Sequence, residues 1–387
     1  MKIGTVKEIK DKTETRVGLT PTTIKELVSL GHQVYVERDA GRLSQISDKD
    51  YEEAGAKILP EARDVWENVE LMVKVKEPQE DEFKYLRPDL TLFTYLHLAS
   101  PASKNLVEAA LKSKGVFIAY ETVILEDGTK PLLAPMSEIA GQKIVDIASV
   151  YLSSPDGIMN KMINRIRQEA GRILIIGGGV VGENAAYSSL ARGASVMILE
   201  LKDKKREELK RRLQPLANCF GGRVQVLESS KENLQQGFKL ADIIIGSIYI
   251  PGARAERLIK HEDLELMKEG TVIGDVAIDQ GGVCEFSRIT NIHEPSFIVK
   301  APRSGKRIIV IGIPNIPAMV GTTATRALNS ATREYIKKYA QEGMRAVLAD
   351  SSFSSGVNIA KGRITFESVA RAHGMDEKFL SPGKLFV

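Results

Sequence analysis

Strands and helices alternate along this 387-residue chain, which predicts an α/β fold of two Rossmann-like, doubly wound parallel-sheet domains with a cleft between them. Three observations carry that expectation. The chain is longer than one hydrophobic core usually spans, so two domains are the default. Short β-branched or apolar runs recur between helical patterns in both halves. The stretch RILIIGGGVVGENAAYSSLARGASVMILE, residues 172–200, has the order of parts that a dinucleotide-binding turn requires.

In the first half, 2–6, Gln33–Glu37, 71–75, Thr91–Thr94 and 115–119 read as strands, and 22–30 and 103–114 as helices. Thr20-Pro21 marks a helix start, while Pro101 and Asp127-Gly128 punctuate loops. Residues 136–152 read as a long amphipathic helix opened by Pro135 or Ser137. The buried strand Arg172–Ile176 then runs into Gly177, Gly179 and Gly182 at G-x-G-x-x-G spacing. One glycine allows the tight turn, the next lets backbone approach a pyrophosphate, and the third lets helix pack on strand. A helix-compatible run, 183–191, offers its N-terminal amides and positive dipole end to phosphates. The following strand, 195–199, ends at Glu200, where a carboxylate can accept hydrogen bonds from both adenosine ribose hydroxyls. Runs at 223–227, 241–245, 271–275 and Arg307–Ile311 complete six strands. A helical stretch at 321–343 and a looser C-terminal portion follow, too short for a third domain. They are expected to pack back onto the first, giving a substrate domain of 1–133 plus 313–387 and an inserted nucleotide domain of 134–312.

Composition excludes several functions. Hydrophobic residues at 43% and charged ones at 27% are ordinary globular values, and a net charge of +4 argues against a nucleic-acid partner. The most basic run, KDKKREELKRR at 202–212, is interrupted by Glu207 and Glu208 and reads as a solvated helix face. No apolar run is long enough to span a bilayer, and MKIGTVKEIK does not read as a signal peptide. Cys219 and Cys284 lack metal-ligand spacing, so no metal is expected and both read as packed thiols in a reducing cytoplasm.

Four residues outside the glycine turn are placed for chemistry, because α/β sheets bind ligands at the carboxyl ends of their strands. Arg16, in TETRVGLTP, reads either as a surface arginine or as a bidentate grip for a carboxylate. Lys74 and Lys76, two apart in LMVKVKEP, are expected on one face and suggest an anion or carbonyl site, with a sheet-edge role the alternative. His97 follows TLFTYL and suits a general acid/base near neutral pH, although a lone histidine is commonly structural. Asp279, in GDVAIDQGG, ends the fifth strand of the second domain and reads either as a loop cap or as a proton-transfer group.

Together Arg16 in E-x-R-V-x-L-T-P, Lys76 in KVKEP, His97 in LHLA, PLLAPMSEIAG at 131–141, the glycine turn and IDQGG resemble the alanine dehydrogenase family. The motifs run in the family's order from Lys2 to about Gly343. The resemblance implies NAD as cofactor and L-alanine, pyruvate and ammonium as substrates, in a cytoplasmic enzyme, usually a homohexamer, with no membrane or nucleic-acid partner. It implies Arg16 and Lys76 as substrate-binding residues, and His97, Asp279 and Lys76 as catalytic ones. It implies cofactor contacts at Ser137, Gly177, Gly179, Val180, Val181, Gly182, Glu200, Lys205, Ser229, Ile248 and Tyr249. The same role falls to Val276, Ala277, Ile278, Asp279, Ile313, Asn315 and Ile316. The same superfamily includes the nucleotide-binding subunit of proton-translocating transhydrogenase, which is one alternative; another amino or imino acid substrate is the other. The chain departs from the family pattern in its charged, methionine-bearing 153–171 segment, at Ile316, where methionine is frequent, and in the tail beyond Gly343.

Overall fold

The computed structural model describes residues 1–248 and 257–386, and Tyr249 lies outside the described residues. By its contacts the chain divides into two units, Met1–Met136 with Ala318–Val387, and Ser137–Pro317.

The first unit is built on β1 (Lys2–Thr5), β2 (Gln33–Glu37), β3 (Lys57–Leu59), β4 (Leu71–Val73), β5 (Thr91–Thr94) and β6 (Val116–Ala119). These pair in parallel in the order β6-β5-β4-β1-β2-β3. The three-residue β3 escaped the sequence reading because it is too short to show a period. Thr20 occupies the N-cap position of the helix Pro21–Ser29, with proline in its first turn, so the helix starts where the sequence predicts. Trp66, Leu92, Phe117 and Ile359 are buried in one apolar cluster. The long helix Gly321–Glu342 is tied to the β1 loop: the Asn329 amide donates to the Gly18 carbonyl at 2.8 Å and accepts the Thr20 N–H at 2.8 Å.

The second unit contains β7 (Arg172–Ile176), β8 (Ser195–Glu200), β9 (Arg223–Glu228), β10 (Ile243–Gly246), β11 (Val272–Asp275), β12 (Ser296–Lys300) and β13 (Arg307–Ile311), ordered β12-β13-β11-β10-β7-β8-β9. The strand order reverses at β7, which lies between β8 and β10, so the glycine turn leaves the sheet at its topological switch point.

Both sheets are mostly parallel, as expected, and each carries antiparallel pairing at one edge. In the second unit, β12 pairs antiparallel to β13. In the first, the tail is not loose: β14 (Val357–Ala360) pairs antiparallel to both β6 and β15 (Arg363–Ile364). All residues of β14 are buried. It covers the β6 edge, whose backbone groups would otherwise be unpaired.

The atypical 153–171 segment is anchored in the second unit. Asp242, fully buried, binds Lys161 Nζ at 2.5 Å and Lys268 Nζ at 2.6 Å and accepts the Arg172 N–H at 2.9 Å. Asp242→Ala is expected to destabilise the fold by about 2–4 kcal/mol, since the ends of three segments lose a shared buried acceptor. Urea unfolding should show the lower midpoint, and limited proteolysis should cut first within 153–171. An unchanged midpoint and cleavage pattern would contradict the anchoring role.

Candidate active site

In the first unit, three of the residues singled out lie in loops after strand carboxyl ends. Arg16, between β1 and the helix Pro21–Ser29, is only 3% exposed, so the surface alternative does not hold. Its Nε and Nη2 donate to the two Glu14 carboxylate oxygens at 2.8 and 2.6 Å, and Nη1 reaches Met136 Sδ at 3.1 Å. Burial works against the charge, but the bidentate Glu14 contact outweighs it and holds the guanidinium above its ordinary value.

The lysine pair is corrected. β4 stops at Val73, so strand alternation no longer applies and the two side chains have separate environments. Lys74 is wholly buried, 2.9 Å from Glu82 and 3.4 Å from Glu8. Lys76 is half-buried, and its ammonium is pushed below the ordinary lysine range by burial, then by the nearby charges of Arg16 and Lys10. Lys74 is committed to two carboxylates, whereas Lys76 is the more exposed of the pair.

His97 follows β5 after two intervening residues, exposed and with φ of 49°. Its N–H donates to Glu121 Oε1 at 2.6 Å, and its ring stacks on Tyr95 with centroids 6.0 Å apart. The Arg16 charge acts on both Lys76 and Tyr95, so Arg16, Lys76 and His97 belong to one neighbourhood in this unit. Glu8, Glu14 and Glu121, which accept from the Lys76 N–H, the Arg16 guanidinium and the His97 N–H in turn, were not found from sequence. Only Glu14 had a local signal, its place in the E-x-R motif.

In the second unit, Gly177 has φ of 102°, a value side chains rarely adopt, and its N–H donates to the Leu199 carbonyl at 2.9 Å. The helix Val180–Leu190 starts three residues earlier than expected, so Val180, Val181 and Gly182 form its first turn and Gly179 its N-cap. A Cβ on Gly179 would meet nothing within 4 Å, which leaves the turn open to a ligand. The Ser247 hydroxyl donates to the carbonyls of Ile176 and Gly177 at 3.0 and 2.9 Å and braces the turn from behind. Glu200 is fixed by its own acceptor contacts: Oε2 takes the Gly178 N–H at 3.0 Å, and Oε1 the Lys202 N–H at 3.0 Å. Lys205 lies 3.6 Å from Glu183.

Because β7, β8, β9, β10, β11 and β13 run parallel, the residues following them share one edge of the sheet. That edge gathers the glycine turn, Ser229 after β9, Ile248 after β10, Val276–Asp279 after β11, and Ile313, Asn315 and Ile316 after β13. Asn315 has φ of 56°. Ser137 differs, lying on the helix Ala134–Leu152. Asp279 does not end a strand: β11 ends at Asp275, and Asp279 is exposed in the turn Ile278–Gln280. Buried Asp275, also missed, shapes that loop by accepting the N–H groups of Ala277 and Val283 at 3.1 and 3.0 Å and the Ser287 hydroxyl at 2.5 Å. Among the described residues, no cluster of His, Cys, Asp and Glu could hold a metal ion, and no helix is long and apolar enough to cross a membrane.

Residues 4–140 match the family model of the alanine dehydrogenase/PNT N-terminal domain, and residues 145–367 that of the C-terminal domain. Over 379 residues the chain is 42% identical to alanine dehydrogenase of Staphylococcus haemolyticus, covering 97% of each. It is 41% identical to alanine dehydrogenase 2 of Staphylococcus aureus over 98% of each chain. Its fold matches a solved L-alanine dehydrogenase with a TM-score of 0.88 and 37% identity, over 97% of this chain and 99% of that one. A transhydrogenase from Sinorhizobium meliloti matches with a TM-score of 0.76 at 20% identity, over 95% and 99%, which is a likeness of fold.

The close approach inside the turn gives a direct test. A Cβ at Gly182 would stand 2.0 Å from the Gly177 carbonyl oxygen and 2.8 Å from Ser247 Oγ. Gly182→Ala is therefore expected to displace the turn and abolish detectable dinucleotide binding in a fluorescence titration. Binding at wild-type affinity would show that this packing does not shape the site.

Proposed function

The chain belongs to the alanine dehydrogenase/PNT family, and from that premise we propose that it is an NAD-dependent L-alanine dehydrogenase. The reaction is L-alanine + NAD⁺ + water to pyruvate + ammonium + NADH + H⁺, and it is reversible. The observation that carries the reading is the first unit's grouping of a buried, carboxylate-braced arginine, a lysine of depressed pKa and an exposed histidine. Those are the groups that a small α-keto acid with a carboxylate and a carbonyl requires. The amino-acid dehydrogenase relatives share over 40% of their residues with this chain along nearly its whole length. The transhydrogenase alternative has no such support.

The second unit's turn fits the cofactor. Its open Gly179, the amides at the start of the helix Val180–Leu190 and the fixed Glu200 carboxylate suit a pyrophosphate and an adenosine ribose. Bound there, NAD supplies the hydride acceptor for substrate C2. Glu200 would repel a 2′-phosphate, and Lys205, paired with Glu183, gives that phosphate little compensation.

Arg16 would hold the substrate carboxylate, its plane set by Glu14. Lys76 would hydrogen-bond the carbonyl oxygen, and its lowered pKa eases proton release at that oxygen. His97 would accept a proton as water adds and return one as the carbinolamine collapses, with Asp279 as the second proton-transfer group. A cytoplasmic homohexamer, the state typical of the family, completes the proposal.

The reading is tested by NADH formation across a panel of L-amino acids. L-alanine is expected to give the highest kcat/KM, with NAD favoured over NADP tenfold or more. A panel in which no amino acid reduces NAD would overturn it.

Site variants separate the roles. His97→Ala and Asp279→Ala should each lower kcat by about 10²–10⁴-fold while NADH still binds. Arg16→Lys keeps the charge but loses the fork and the Glu14 chelate, so KM for pyruvate should rise at least tenfold with NADH affinity unchanged. An unaltered pyruvate KM would remove Arg16 from substrate binding.

A further inference from the structure

The described carboxylate that contacts the peptide of Lys76 belongs to Glu8, a residue absent from every motif in the sequence. β1 ends at Thr5 and β4 at Val73, and beyond those points the two strands no longer pair. The Glu8 side chain, 1% exposed, replaces the missing ladder. Its Oε1 accepts the Val75 N–H at 2.6 Å, and its Oε2 accepts the Lys76 N–H at 3.3 Å. The far side of the same peptide run is held from β5, where the Thr94 hydroxyl donates to the Lys76 carbonyl at 3.0 Å and the Tyr95 N–H to the Val75 carbonyl at 3.3 Å.

We propose that Glu8 is the positioning residue for Lys76, its carboxylate clamping two successive backbone amides so that the lysine side chain leaves the loop in one direction. This rests on the reading of Lys76 as the group that meets the keto-acid carbonyl. The rival role is charge balance alone, since Glu8 also lies 3.4 Å from the buried Lys74 Nζ. Glu82 already balances that charge from 2.9 Å, with its carboxylate engaged by the Lys74 ammonium and the Gln79 N–H. Lys74 thus has a carboxylate partner without Glu8, whereas the Val75 and Lys76 amides have no other acceptor among the described residues.

The electrostatics agree with a carboxylate retained at a cost. Burial raises the Glu8 carboxyl to about 7, against the opposing pull of Lys74 and the Val75 N–H, with Glu14 and Glu82 pushing the same way as burial. Arg16 and Tyr120 also feel its charge. A group this expensive to ionise is poor ballast for a cation that has another partner.

The experiment compares wild type, Glu8→Gln and Glu82→Gln, each first checked for folding by circular dichroism and for NADH binding by fluorescence. Glu8→Gln keeps size but cannot accept from both amides with the strength of a carboxylate. It is expected to raise KM for pyruvate and lower kcat, with kcat/KM down on the order of 10–100-fold, as a displaced contact group does. NADH dissociation should stay within twofold. Glu82→Gln removes the other Lys74 partner without touching the Lys76 backbone, and should lower the melting temperature while leaving kcat/KM within twofold. Glu8→Asp, which restores charge but is one methylene short, should fall between wild type and Gln. A folded Glu8→Gln with wild-type kcat/KM would overturn the proposal. So would an equal loss in Glu82→Gln, which would trace the effect to the Lys74 charge. If wild type itself fails to reduce pyruvate with ammonium and NADH, the functional reading fails and this comparison is not reached.

Discussion

Charge buried beneath the loops at the carboxyl edge of the first sheet constrains everything around it. Arg16, Lys74, Glu14 and Glu82 are each under 5% exposed, and an unpaired ion at such depth costs several kcal/mol. The chain therefore has to bring its carboxylates with its cations. Glu14 precedes Arg16 within the same loop and Glu82 approaches Lys74 from the turn Glu80–Tyr85, while Glu8, from the loop after β1, accepts the Val75 and Lys76 N–H groups. The Glu8 contacts fix the loops after β1 and β4 relative to each other. The Asn329 amide then pins the β1 loop to a helix that comes more than 300 residues later. Such a network contributes little net stability, since a well-packed apolar core of the same volume would do as well. Its return is geometric: loops that would otherwise drift carry their side chains in fixed directions.

The second unit meets its task with backbone rather than buried cations. A dinucleotide is long, and phosphates can be met by amides at a helix N-terminus without any side-chain charge. The requirement then falls on space and dihedral angle, which is why glycine is needed at 177 for its φ and at 182 for its contact with the Gly177 carbonyl. Glu200 is the charged exception, already committed to two amides before any ligand arrives. On the proposed reading the contrast follows from ligand size. A keto acid of a few atoms offers only its carboxylate and carbonyl, so it needs strong point contacts, and these need the buried network.

The sequence was most legible where the governing interaction is local. The glycine turn, Glu200 and the strands either side of them all lie within some thirty residues, and each imposes its own residue type. The Thr20-Pro21 helix start is legible for the same reason. The antiparallel β14 was not, because its partner β6 lies far away in the chain and no turn chemistry links them. Lys74 and Lys76 show a rule applied past its range: alternation holds within a strand, and the strand had already ended. Glu8, Asp275 and Glu121 were invisible for a further reason. Each acts by accepting backbone N–H groups, which every residue but proline carries, so neither end of the contact leaves a mark in sequence. Their place after strand ends, and then the family resemblance, brought Arg16 and His97 into view, but not the carboxylates that hold them.

Backbone strain marks the same places independently. Few side-chain-bearing residues have positive φ, and two of them, His97 and Asn315, are residues that the family resemblance assigns to the site. Left-handed backbone costs a residue with a side chain roughly 1 kcal/mol or more, and it persists only where the surroundings enforce it. At His97 the enforcement is visible: Glu121 accepts the N–H groups of Leu96 and His97, while the His97 carbonyl accepts from the Ser100 N–H and the Ser103 hydroxyl. Three groups from two segments, the Glu121 carboxylate, the Ser100 N–H and the Ser103 hydroxyl, thus hold the backbone on both sides of the His97 Cα. A loop that only had to turn could have used glycine there and avoided the strain. A histidine kept in that conformation, with its amide tied down and its ring left exposed, is a side chain whose direction matters more than the ease of the turn.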